Sequence, residues 1–201
     1  MDQFEHVLPG EQGETGWFAH QNPFEQETIT RQVAYKRAHW PGLSGGRDVN
    51  RPKHSYPHIF PAGCEYLSVY ESIALELFDY LSKEDIVIHS GIRNLKSSQA
   101  ACFNILFPMK QDLSLAKSAL DHFLPNAESI DDIEFEYTGP PEITQWLGEP
   151  TKGRRGQNRT SIDAAVFWKD QGGRSNISLV EWKYTEKNFG TCRRYISYLN
   201  S

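Results

Sequence analysis

Cysteine is scarce in this chain: its 201 residues hold three, Cys64, Cys102 and Cys192, widely spaced and odd in number. No Cys-x-x-Cys pair occurs, and the set argues against a disulfide framework. Cys102 reads instead as a core residue on an apolar helix face. Long apolar runs are missing as well. No segment approaches a membrane span, and Met1-Asp2-Gln3-Phe4-Glu5-His6 lacks the basic and apolar regions of a secretory signal. The expected compartment is the cytoplasm, with no membrane partner.

A basic excess is also lacking, since the net charge is −5. That argues against a simple non-specific nucleic-acid coat. The charge is unevenly spread, however. Residues 150–201 carry ten Lys and Arg against four Asp and Glu, a net of +6, while residues 1–149 carry eleven against twenty-two, a net of −11. A locally basic end suits a polyanionic substrate. Aromatics make up 12% of the chain, enough for a globular domain rather than a disordered one.

The stretch with the most chemistry is Ser161 to Lys187. Ser161–Trp168 and Asn176–Tyr184 are β-branched and aromatic runs around a turn with Gly172-Gly173, the pattern of a β-hairpin. Symmetry about Gly172 sets Trp168 opposite Asn176, and the same register sets Asp163 opposite Glu181. Alternation puts Lys183 on the face of Glu181. Two like charges directly across a strand pair destabilise a sheet. A bound cation removes the objection, and Mg2+ needs only one or two carboxylates, with waters and substrate phosphate filling its octahedron. A neighbouring lysine can orient or deprotonate an attacking water, or neutralise charge building on phosphate.

Upstream, residues 1–30 are acidic, Gln-rich and aperiodic, and are expected to form an irregular arm. A short helix is predicted at Arg31–His39, followed by a long irregular stretch. His54, His58 and Cys64 suggest zinc, but Pro57 blocks the helix that pairs histidines at i, i+4, and no fourth ligand is evident, so ordinary loop histidines are expected. Glu65–Leu81 has apolar residues at helical spacing; its acids read as a solvated face, with Glu71 a candidate to reach a metal. Ile86–His89 is a short strand or a buried extended piece. Ser97–Phe107 begins with good cap residues and is expected to stop before Pro108. It is apolar on most sides, so Gln99 and Asn104 within it need partners: neighbouring backbone, or an active site. A helix at Asp112–Phe123 and a strand at Ile130–Tyr137 follow, then a short helix at Glu142–Leu147. The basic loop 152–159, with Lys152, Arg154, Arg155 and Arg159, leads into the hairpin and is a candidate for phosphate contact. Residues 191–199 look helical and carry Arg193 and Arg194.

The order helix, strand, strand with Asp163, strand with Glu181-Trp182-Lys183, then helix resembles the PD-(D/E)XK nuclease superfamily, the restriction-endonuclease-like fold. Ser97-Ser98-Gln99-Ala100, Asn104-Ile105-Leu106-Phe107-Pro108 and Glu181-Trp182-Lys183-Tyr184-Thr185-Glu186 running on to Cys192-Arg193-Arg194-Tyr195 resemble one bacterial branch of it. The resemblance spans residue 31 to the end and implies an α/β domain, 31–201. Its helical part reaches about residue 125, and a central mixed β-sheet with flanking helices carries the active-site hairpin within 130–185. The superfamily's last core strand is either absent or supplied by Ile86–His89. The resemblance also implies a Mg2+-dependent deoxyribonuclease, with Mn2+ as a substitute ion, DNA as partner and a homodimer as one admissible assembly. Asp163 and Glu181 become the metal carboxylates and Lys183 the catalytic lysine. Gln99 stands where many members keep an acid that assists the metal, and Ile162 replaces the proline that names the motif. Two other classes compete: a nuclease-fold module that binds nucleic acid or protein without cutting, and a purely structural sheet.

Overall fold

The computed structural model describes residues 18, 21–48, 53–141, 145 and 160–184. The first long element is α1, Pro23–His39. It starts eight residues before the expected Arg31, and the cause is local. Asn22 caps the Glu25 N–H, the Glu25 carboxylate accepts from the Asn22 N–H, and Pro23 sits in the first turn, where its missing N–H costs nothing. The predicted irregular arm therefore ends earlier than residue 30.

A two-stranded ribbon follows, β1 (Gly46–Arg47) antiparallel to β2 (Ser55–Tyr56). The helix expected over 65–81 is broken. Glu65–Ser68 forms one 3-10 turn, and α2 runs Glu71–Lys83. Asn104 accounts for the break: its side chain accepts from the Tyr70 N–H at 2.9 Å and donates to the Ser68 carbonyl at 2.9 Å, occupying the backbone groups at the junction. Ile86–His89 makes no named strand; Ile86 is buried in an extended segment.

Helix α3 covers Ser98–Gln111, with Ser97 as its cap, and runs through Pro108 instead of stopping before it. Proline removes one intrahelical hydrogen bond. Here the burial of Phe103, Leu106 and Phe107 against the sheet holds the helix in spite of that loss. Asp112 closes α3 and caps α4, Leu113–Leu120.

The sheet that matters has the order β3-β4-β5 and is antiparallel throughout its described part: β3 is Ala127–Tyr137, β4 is Ile162–Asp170 and β5 is Ser175–Val180. The domain is α/β, with helices packed on the sheet face that presents Ile133, Phe135, Ala164 and Val166. Phe135 centres that core, with ring centroids 5.2 Å from Phe103 and 6.0 Å from Tyr80. The β4–β5 turn is built by Asp170, whose carboxylate accepts from the N–H groups of Gly172 and Arg174 and from the Arg174 guanidinium. Gly173 has φ +74°, a conformation that costs glycine least. No helix among the described residues is long and apolar enough to cross a membrane.

Candidate active site

The hairpin register is the expected one. Trp168 faces Asn176 and Ala164 faces Val180, so the next rung sets Asp163 opposite Glu181. The ladder differs in one respect. β5 ends at Val180, which leaves Glu181 and Lys183 just past the strand rather than in it. Asp163 takes over where the ladder stops, its Oδ2 accepting the Trp182 N–H at 2.6 Å. That bond fixes the start of the Glu181-Trp182-Lys183 segment against β4. The Lys183 Nζ lies 2.7 Å from Glu181 Oε1, an ion pair at an exposed edge.

A third carboxylate joins them, and reading the strands singly does not find it. Phe135 pairs with Ala164 and Tyr137 with Ile162, so Glu136 falls opposite Asp163. Glu136 on β3, Asp163 on β4 and Glu181, one residue past β5, thus fall at one level of the register. Glu136 has φ +47°, an uncommon conformation for a side chain of its size. Its carboxylate is held on both oxygens: Gln99 Nε2 donates to Oε1 at 2.8 Å and Ser161 Oγ donates to Oε2 at 2.7 Å. The available signal was register arithmetic, but no short turn ties β3 to β4, and β3 slips register between Ala127 and Ser129 and again between Ile130 and Asp132.

Gln99, in the first turn of α3, is fully engaged. Its Oε1 accepts the His89 N–H at 2.8 Å while its amide nitrogen donates to Glu136 and to the Val87 carbonyl. Its partners are thus the backbone at Val87 and His89 and the Glu136 carboxylate. Burial holds the Asp163 carboxyl above the usual aspartate range, opposed by the Trp182 N–H and Lys183 and reinforced by the charges of Glu181 and Glu136. The neighbouring Cys102, buried in α3, has its thiol pushed up chiefly by burial and then by Asp163, Glu136 and Glu181. Cys102 is an inert core residue, as expected.

Glu71 heads α2 as an exposed first-turn residue. Lys152, Arg154, Arg155, Arg159, Arg193 and Arg194, with the helix expected at 191–199 and all but the helical Gln145 of the one expected at 142–147, lie outside the described residues. Among the described residues no three His, Cys, Asp or Glu side chains form a metal cage. The donor set suits a hard divalent cation taking one or two carboxylates and completing its shell with water and phosphate oxygens. A divalent cation would offset the charges of Glu181 and Glu136 on half-buried Asp163.

A family model described as restriction endonuclease associating with ARP matches residues 17–198. No curated protein and no solved structure matches the chain.

Proposed function

The chain belongs to the family of restriction endonucleases associating with ARP, and from that premise we propose that it is a metal-dependent endonuclease of the PD-(D/E)XK type that hydrolyses DNA phosphodiester bonds. The observation that carries this is the rung Glu136–Asp163–Glu181 with Lys183 paired to its last member. A purely structural sheet has no use for three like charges side by side.

Asp163 and Glu181 would hold Mg2+ or Mn2+, which supplies Lewis-acid polarisation of the scissile phosphate. Asp163 offers Oδ1, its other oxygen being fixed by the Trp182 N–H. Lys183 presents its ammonium beside Glu181, where it orients the attacking water and neutralises charge as the water oxygen bonds to phosphorus and the P–O bond to the leaving strand breaks. Gln99 lacks the acid its position would supply in relatives, and it acts through Glu136, aiming that carboxylate at the Asp163 rung. The basic segments 152–159 and Arg193-Arg194 guide the backbone, and the ARP named in the family description is the proposed protein partner.

The test is incubation of purified protein with plasmid DNA and Mg2+ or Mn2+. The expected result is nicking or cutting, reduced about 10²–10⁴-fold in Lys183→Ala and Asp163→Ala with unchanged circular dichroism. Binding without cleavage under every divalent ion would replace this reading with the non-catalytic module.

A further inference from the structure

A shallow cleft lies between β1 and the loop that leads into α3, lined by Arg47, Asp48, His89, Ser90, Arg93 and Asn94. The walls are closely built. At Gly46 an added Cβ would meet the Phe60 carbonyl oxygen at 2.0 Å, so only glycine lets β1 run this close to Phe60 and deliver Arg47 to the rim. Arg93 is oriented from behind, with Nη1 donating to the Phe60 carbonyl at 3.0 Å and Nε 3.5 Å from Glu65 Oε1. Its other terminal nitrogen makes no hydrogen bond among the described residues, and a guanidinium held this way is prepared for an oxyanion. His89 Nδ1 accepts the Gly91 N–H at 3.0 Å, which assigns the proton of the neutral ring to Nε2 and makes that nitrogen a donor. The side chains of Ser90 and Asn94 add neutral polar groups. Among the described residues Asp48 supplies the one carboxylate of the lining, beside the guanidiniums of Arg47 and Arg93, and Glu65 balances Arg93 from behind.

The cleft is wired to the proposed catalytic rung. The backbone N–H of His89 donates to Gln99 Oε1 at 2.8 Å, and the same amide donates to Glu136 at 2.8 Å. Two hydrogen bonds therefore separate a cleft wall from the carboxylate opposite Asp163. We infer that this cleft is a backbone subsite, gripping through Arg47 and Arg93 a phosphate of the nucleic-acid strand that is cut at Asp163, near the scissile group. The inference rests on the nuclease reading and extends it with a site in the N-terminal half of the chain, remote in sequence from the basic loop. Such a contact carries no sequence preference; it sets register and adds a counterion-release term.

The experiment compares the full chain with Arg47→Ala and Arg47→Lys, Arg47 being an exposed residue whose loss removes no core packing. Affinity for a short random-sequence duplex is measured across a salt series without divalent ion, with melting temperature as the control for folding. The expected result is that Arg47→Ala weakens binding equally for all sequences and lowers the slope of log K against log salt by about 0.9, while Arg47→Lys keeps most of that slope. In cleavage, Arg47→Ala should raise KM and leave kcat within about twofold. Unchanged affinity and slope, with cleavage intact, would overturn the subsite and leave the nuclease standing. Titration with inorganic phosphate separates a third outcome: Arg47-dependent phosphate binding with no effect on duplex binding identifies a free-anion site and overturns the proposal. A wild-type chain that neither binds nor cuts nucleic acid defeats the nuclease reading, and the subsite with it.

Discussion

Two ionic clusters in this molecule meet the same penalty and answer it in opposite ways. Lys36 on α1 is buried, 3% exposed, and its ammonium donates to the carbonyls of Ser44, Pro57 and Ile59 at 2.8, 3.1 and 2.8 Å, with the Phe60 ring 5.1 Å away. All three donors of the ammonium are used, and the charge staples α1 to the segment around β1 and β2. In the three-stranded sheet, Glu136, Asp163 and Glu181 share one rung, with one lysine among the described residues paired to the last of them. Burial disfavours the charged form in both places, lowering Lys36 to about 8 and raising Asp163. The difference lies in the partners. Neutral carbonyl dipoles complete the lysine's shell, whereas like charges leave the acids short of a cation. A saturated cluster stabilises a fold; an unsaturated one is fit to bind a ligand.

This contrast can be broken first at Lys36. Lys36→Met should destabilise the apo protein by about 1–3 kcal/mol, because buried carbonyl oxygens lose their donor, and denaturant unfolding measures it. An unchanged midpoint would mean that the staple contributes nothing. Asp163→Asn should act with the opposite sign. Without divalent ion it removes a half-buried charge set between two others and raises the melting temperature, while cleavage is lost. Added Mg2+ should then stabilise the wild type, by about 2.7 kcal/mol at a hundred times its Kd, and leave the variant unmoved. A variant no more stable than the wild type would show that the rung is not frustrated.

The smallest effect is the pH dependence of Lys36. Its folded pKa lies below the unfolded value, so between about pH 8 and about pH 10.4 the unfolded chain binds more protons and stability rises with pH. Lys36→Met should flatten stability across that window, as read by thermal melts at constant ionic strength.

Much of the site is legible in the residues themselves because its elements are local. The turn at Gly172-Gly173 joins β4 to β5 directly, so its position specifies the register, and Asp163 falls opposite Glu181 by counting. The capping box Asn22-Pro23-Phe24-Glu25 is equally local, and the early start of α1 could have been read from it. What could not be read depends on contacts between distant segments. Asn104 breaks the helix at Ser68–Tyr70 across 34 residues to Tyr70. Helix α3 passes Pro108 because the sheet buries its apolar face, and Lys36 finds acceptors on two separate backbone segments, at Ser44 and at Pro57–Ile59.

Glu136 is the clearest case. By alternation alone it belongs with Asp132 and Glu134 on a polar strand face. Only the β3–β4 register, adjusted by two slips, sets it beside Asp163, and only α3 brings Gln99 to hold it. The sequence by itself determined the hairpin, its two opposed carboxylates and their lysine, because a tight turn converts residue counting into spatial register. The tertiary structure decided the third carboxylate and the arginine-lined cleft behind it, because strands and helices joined by long connections find their register only through the core they bury together.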